Sequence, residues 1–211
     1  IFHFGVGNFH RAHQAVYLDA LFNLGEGHDW AIVGSGVRAA DEAMREKLKA
    51  QDWLTTVVEQ EAEGSSARVT GAMIDYIRPG DATGILEKLA DPAIRIVSLT
   101  ITEGGYFIDP ATQKFNPADA EIVYDAAHMD APKTAFGLIL AGLTRRRTAG
   151  TEPFTVMSCD NIPHNGHVTR DAVAGLARLF DPELARWVED NVAFPNGMVD
   201  RITPATGERE R

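Results

Sequence analysis

Cysteine is almost missing from this 211-residue chain, which holds one, Cys159. A lone thiol closes no intrachain disulfide and builds no cysteine-rich zinc site, so a reduced, cytoplasmic setting is expected. Long apolar runs are missing too. None approaches the roughly 20 residues that cross a bilayer, and no basic segment leads into an apolar stretch as a secretory signal would, so no membrane partner is expected. Cations are in deficit: 20 Lys and Arg stand against 30 Asp and Glu, a formal charge of -10. Nucleic-acid binding needs the opposite balance, because Lys and Arg must neutralise phosphates. The one basic cluster, Arg145-Arg146-Arg147, reads as the last turn of a helix meeting its own dipole. No repeat, low-complexity stretch or Gly/Ser-rich linker divides the chain. It opens at Ile1, within an expected strand and without an initiating methionine, and residues are expected to precede it.

What is present alternates apolar strands with helical periodicity, the pattern of an α/β protein with a mostly parallel, doubly wound sheet. Strands are expected at residues 1–4, 30–33, 54–58, 94–100 and 154–158. The run 94–100 is apolar enough to be buried on both faces. Helices are expected at 11–24, 40–50, 81–89, 133–147, 172–179 and 182–191, with a possible hairpin within 60–77. The segment 194–211 is extended and polar, and ends in Glu208-Arg209-Glu210-Arg211.

Three segments carry candidate chemistry. Gly5-Val6-Gly7-Asn8-Phe9-His10 follows the first strand and precedes a helix. Gly5 would permit a tight turn and Gly7 would let a pyrophosphate approach the backbone at the helix start. The third glycine of that fingerprint is replaced by His10, and a plain turn is the competing reading. The acid that would hold the adenosine ribose after the second strand is Asp41, which serves equally as a charge at a helix N-terminus. Arg38 could instead greet a 2′-phosphate, so NAD and NADP both stay open. Further along, Thr102-Glu103-Gly104-Gly105-Tyr106 and Cys159-Asp160-Asn161-Ile162-Pro163-His164-Asn165-Gly166 follow two apolar strands, where open α/β sheets collect ligands. Turn capping by Asp160 and Asn161 is the alternative. A neutral amide such as Asn161 suits a carbonyl oxygen or a developing alkoxide. His3, inside a strand, reads as a satisfied core histidine.

Four segments together, Gly5 to His13, Thr102 to Tyr106, Cys159 to Gly166 and Phe194 to Pro204, resemble the polyol-specific long-chain dehydrogenase/reductase family, with the mannitol 2-dehydrogenases the nearest branch. They run in family order over nearly the whole chain. The resemblance implies a Rossmann-like domain over residues 1–193 that binds NAD, with 194–211 leading towards a helical substrate domain that is expected to be missing. It implies metal-independent hydride transfer between a sugar alcohol and a ketose of the mannitol/fructose type. The fructuronate, tagaturonate and arabinitol enzymes are the alternatives within the family. By motif, Gly5, Gly7, Asn8, Phe9 and His10 would belong to the pyrophosphate turn and Glu103 to the nicotinamide side. Asn161 would contact the reacting oxygen, and Asp200 would face a polyol or ketose in the substrate pocket. Gly197 stands where relatives often carry Ser.

Family members draw a lysine base from the second domain, and nothing here matches it. The five lysines, Lys47, Lys49, Lys88, Lys114 and Lys133, fall on expected helix surfaces or loops. A short-chain dehydrogenase would need Tyr-x-x-x-Lys, and none of Tyr17, Tyr76, Tyr106 and Tyr124 has a lysine four residues on. A zinc alcohol dehydrogenase would need a Cys/His ligand set that one cysteine does not supply. The reading from another class is a non-catalytic NAD(H)-binding module; the Asn161 and Asp200 segments count against it.

Overall fold

The computed structural model describes residues 1–62 and 64–204, so Glu63 and the 208–211 end lie outside the described residues. Five parallel strands form the main sheet: β1 (Phe2–Phe4), β2 (Ile32–Ser35), β5 (Met73–Ile77), β6 (Ile96–Leu99) and β7 (Thr155–Ser158), in the spatial order β5-β2-β1-β6-β7. The chain therefore builds outward from β1 through β2 to β5, then crosses back to lay β6 on the other side of β1. That reversal creates a crevice between the carboxyl ends of β1 and β6. Phe2 pairs with Val33 and Val97, and Phe4 with Ser35 and Leu99, so the strand ends lie level.

Strand alternation sends neighbouring side chains to opposite faces. Phe2, Phe4, Val97 and Leu99 enter the larger core, with Leu86 and Leu89 of α4 (Ala82–Ala90), Phe136 and Ile139 of α6 (Ala135–Ala149), and Val173 and Leu176 of α7 (Asn165–Phe180). Ile122 of α5 (Ala120–Ala127) and Leu184 of α8 (Pro182–Asn191) complete it. The other face holds a smaller cluster, where Val6, Ile32, Met73 and Tyr76 meet Ala15 of α2 (Gln14–Asn23) and Leu48 of α3 (Glu42–Lys49). Helices on both faces of a parallel sheet make this the expected Rossmann-type architecture. No helix among the described residues is long and apolar enough to cross a membrane.

Several local expectations are corrected. Helix begins three residues early, as α1 (Asn8–Ala12), and breaks at His13 (φ -123°, ψ -79°) before α2 resumes. The strand expected at 54–58 is not in the main sheet. It is one arm, β3 (Thr55–Glu61), of a separate antiparallel pair with β4 (Gly64–Thr70). The second half of the expected hairpin region is instead the edge strand β5. Arg146 is not a surface charge meeting a helix dipole. Its side chain is buried, and its guanidinium donates to the carbonyls of Leu89, Asp91, Ile94 and Glu152. It thus ties the α4–β6 connection to the end of α6, while Arg145 and Arg147 stay exposed.

Candidate active site

The turn after β1 is built by constraints that only glycine meets. Gly5 has φ +93°, and a Cβ there would lie 2.0 Å from the Thr100 carbonyl oxygen. Its N–H donates to Ser35 O at 2.9 Å, and Gly7 N–H donates back to Gly5 O at 2.7 Å. Arg11 then draws the turn closed, donating to Val6 O (3.0 Å) and to Asn8 Oδ1 (2.6 Å). Gly7 is the residue before α1, and no side chain caps that helix end. A Cβ on Gly7 would meet nothing nearer than 3.9 Å.

This turn forms one wall of a cleft of about 650 Å³, within the usual range for small-molecule and cofactor sites. Gly5, Val6 and Gly7 line it together with Val37, Arg38 and Asp41 after β2, Met44 and Lys47 of α3, and Thr100, Ile101, Thr102, Gly104 and Gly105 after β6. Asp41 is half-buried, and its Oδ2 accepts the backbone N–H groups of Val37 and Arg38, each at 2.9 Å. It therefore braces the loop after β2 while lining the cleft.

Two smaller clefts adjoin it. One, of about 420 Å³, is lined by Thr102, Glu103, Gly104, Asp160 and Asn161. The other, of about 260 Å³, is lined by Phe9, His10, Gln14, Cys159 and Asp200 among others. Phe9 and His10 thus sit beside the Asp200 cleft and do not line the cleft that Gly5 and Gly7 line. The turn of α1 stacks the His10 ring on His3 of β1, while the Phe9 ring packs on His13.

His10 is fully buried, with its ring stacked on His3 at 3.6 Å between centroids. A directional hydrogen-bond chain fixes both rings. His3 Nε2 faces the acceptor Gly5 O (3.2 Å) and Thr100 Oγ1 (2.9 Å), so it carries the proton. His3 Nδ1 then accepts from Ser98 Oγ (2.8 Å), Ser98 Oγ accepts from Gln14 Nε2 (3.1 Å), and Gln14 Oε1 accepts from His10 Nδ1 (3.0 Å). Burial drives both rings to stay neutral. His3 is held well below the ordinary histidine value, and His10 is pushed down to about 3. His3 is the satisfied core histidine expected of it.

Asp160 was legible only as a turn cap, and it does more. Its carboxylate, 9% exposed, accepts Ile101 N–H at Oδ2 and Thr102 N–H at Oδ1, each at 3.0 Å, and Tyr106 O–H at 2.7 Å. Tyr106 also meets Ser158 Oγ at 2.6 Å. Burial and the Asp160 charge both raise the Tyr106 phenol above its ordinary value, so it stays a donor. One buried carboxylate thus joins the loop after β6 to the end of β7, and holds Thr102 at φ +65°, a costly conformation for a residue with a side chain. The same burial, with the Asp160 charge beside it, pushes the Cys159 thiol up to about 11.

The segment 192–204 has neither helix nor strand, yet it is pinned. Val156 N–H donates to Ala193 O, Asn165 exchanges two hydrogen bonds with Gly197 (2.9 and 3.0 Å), and Asn196 Oδ1 accepts Gly166 N–H at 2.9 Å. This places Asp200 over the cleft that holds His10. At Gly197 a Cβ would meet nothing nearer than 3.8 Å, so a residue with a side chain would fit there as well.

Comparison with known proteins agrees with this architecture. The family model described as the mannitol dehydrogenase Rossmann domain matches residues 1–211. A mannitol 2-dehydrogenase of Cereibacter sphaeroides is 64% identical over 212 residues, covering 100% of this chain and 44% of the relative. A polyol:NADP oxidoreductase of Gluconobacter oxydans is 51% identical, over 97% of this chain and 42% of its own length. Among solved structures, the Pseudomonas fluorescens mannitol 2-dehydrogenase in ternary complex with NAD and D-mannitol superposes with a TM-score of 0.94. It is 52% identical, and the match covers 100% of this chain and 43% of that one. This chain therefore spans less than half the length of these relatives, and it belongs to the mannitol dehydrogenase family, of which it holds the Rossmann domain.

Proposed function

We propose that this chain is the cofactor-binding part of an NAD-dependent polyol dehydrogenase that interconverts a sugar alcohol and a ketose of the mannitol/fructose type. One observation carries the reading. The three segments bearing Gly5 and Gly7, Glu103, and Asn161 leave neighbouring parallel strands at one edge of the sheet, around the crevice where the strand order reverses.

The residues fit a dinucleotide. Gly7 lines the cleft at an uncapped helix start, where the lack of a Cβ would let a pyrophosphate approach the backbone. Gly5 shapes that turn, and Asn8 holds it through Arg11. Asp41 would take the adenosine ribose hydroxyls, and Glu103 would stand on the nicotinamide side. Bound NAD(H) supplies or takes up the hydride. The protein's part is to fix the substrate oxygen: the exposed amide of Asn161 would donate to it without titrating, and Asp200 would accept from a neighbouring substrate hydroxyl. None of the five lysines lines either of the clefts holding Asn161 and Asp200. That supports a proton-accepting lysine supplied from outside this domain, with residues 1–193 as the cofactor unit and the segment from 194 leading towards the substrate unit.

Titration of the chain with NADH, followed by nicotinamide fluorescence, tests the first half. Saturable binding that Gly7→Val abolishes is expected, and undiminished affinity in Gly7→Val would remove the turn from the site. NADH oxidation with D-fructose, by the protein that carries this chain, tests the second. Turnover confined to sugar acids such as fructuronate would move the protein to another branch of the family.

A further inference from the structure

His10 is left with one ring nitrogen unused. Its Nδ1 is spent on Gln14 Oε1 (3.0 Å) and one ring face lies on His3. Its Nε2 is closed to water and has no hydrogen-bond partner among the described residues. A buried polar atom without a partner is rare, because it forfeits its hydration and gains nothing in return. His10 also lines the cleft of about 260 Å³ that Asp200 lines, so the missing partner has a place to come from. We propose that Nε2 of His10 binds a hydroxyl of the polyol in that cleft, as a second acceptor beside Asp200. The proposal rests on the polyol dehydrogenase reading and deepens it, by naming an atom that selects a hydroxylated substrate.

The direction of the hydrogen-bond chain behind the ring fixes what that partner must be. The chain ends on a carbonyl, Gly5 O, which can only accept. Thr100 spends its hydroxyl proton on Gly5 O at 2.5 Å, so His3 Nε2 faces two acceptors and carries a proton. His3 Nδ1 then takes the Ser98 proton, Ser98 Oγ takes one from the Gln14 amide, and Gln14 Oε1 is left to accept from His10 Nδ1. A neutral imidazole has one N–H, so Nε2 of His10 is bare and its partner is a donor. Burial pushes His10 down to about 3, and the ring stays neutral throughout the assay range. Asp200 accepts as well, so the cleft offers two acceptors, which suit hydroxyls that each bring a proton. A ketone or carboxylate oxygen has none to give and cannot meet Nε2. Arg201, exposed on the same cleft, can donate to the oxygens of those hydroxyls. With water shut out from Nε2, a single hydrogen bond there weighs more than one at the surface.

The test uses the protein that carries this chain, assayed with D-mannitol and NAD and with D-fructose and NADH. His10→Asn keeps a donor for Gln14 and deletes the atom at Nε2, whereas His10→Gln reaches the Nε2 position with an amide oxygen. His10→Asn is expected to raise KM for both sugars about tenfold, with KM for NAD(H) moving less than about threefold. His10→Gln should bring the sugar KM back to within about threefold of wild type. Mannitol analogues that each lack one hydroxyl locate the contact. One of them should lose about tenfold in kcat/KM with wild type and nothing further with His10→Asn, as two changes to one interaction do. An unchanged sugar KM in His10→Asn, or equal weakening of sugar and NAD(H), would overturn the proposal. So would analogues that lose the same factor in wild type and variant, which would assign Nε2 to a bound water. If melts show that His10→Asn does not fold, a folded His10→Gln with its sugar KM raised about tenfold overturns the proposal, and one that keeps it supports it. If wild type turns over neither sugar, the polyol reading fails first and takes the proposal with it.

Discussion

Asp160 and Asn161 are adjacent in sequence and should fail in opposite ways. Asp160→Ala removes an acceptor of three hydrogen bonds, from Ile101 N–H, Thr102 N–H and Tyr106 O–H, at a site 9% exposed. Hydrogen bonds to a charged acceptor contribute about 1.5–3 kcal/mol each before the lost carboxylate's own desolvation is recovered, so a net loss of about 3–5 kcal/mol is expected. For a chain of this size that lowers the melting temperature by roughly 10 °C. Asp160→Asn keeps the shape but turns an amide NH₂ towards a donor, and should lose about 2 kcal/mol. Asn161→Ala, at an exposed position, should move stability by no more than about 0.5 kcal/mol. In the protein that carries this chain it should lower kcat about tenfold to a thousandfold, as loss of an oxyanion donor does. Circular-dichroism melts and urea titrations of the three variants provide the comparison. An Asp160→Ala protein melting within about 2 °C of wild type would refute the argument that this carboxylate holds the two loops together.

The glycines give a second contrast. Gly5→Ala drives a Cβ to 2.0 Å from a backbone oxygen and should prevent native folding, read as loss of a cooperative melt. Gly7→Val should melt normally and lose NADH. A third expectation concerns acid. His3 and His10 are held neutral below the ordinary histidine value, His10 down to about 3. From about pH 6.5 downward the unfolded chain takes up protons that the folded chain refuses, so stability is full above that pH and is lost as pH falls towards 3. Each ring contributes a slope of about 1.4 kcal/mol per pH unit. Urea midpoints between pH 6 and 4 should therefore fall less steeply in His10→Phe than in wild type, and identical slopes would contradict the assignment. Finally, Arg146→Met leaves four buried carbonyls without their shared donor and should lose about 3–5 kcal/mol in urea unfolding.

Much of the architecture was readable from the chain alone because its signals are local. Apolar strand runs and helical spacing gave the alternating α/β order, and Gly5 and Gly7 marked the turn where the first helix starts. The strand expected at 54–58 was misplaced for the same reason in reverse. Its β-branched run, Thr55-Thr56-Val57-Val58, says strand, but nothing local says which strand it pairs with, and β4 claims it. His10 shows the limit at a motif. Its position in the fingerprint suggested the pyrophosphate turn, whereas the rotation of α1 and the stacking partner His3, seven residues upstream across the turn, take its ring into the interior.

Sequence by itself determined the parallel α/β class, the glycine turn, the family and the segments that carry Glu103, Asn161 and Asp200, since each is written in contiguous residues. Only the tertiary structure decided what those segments do to one another. That Leu99 pairs with Ser158 brings Asp160 level with Ile101 and makes it a brace between loops. That α3 packs through Leu48 leaves Lys47 facing the cleft. Both depend on register and packing between separate elements, β6 with β7 and α3 with β5, and a long-range register is set by burial of whole faces, which no short stretch of chain records.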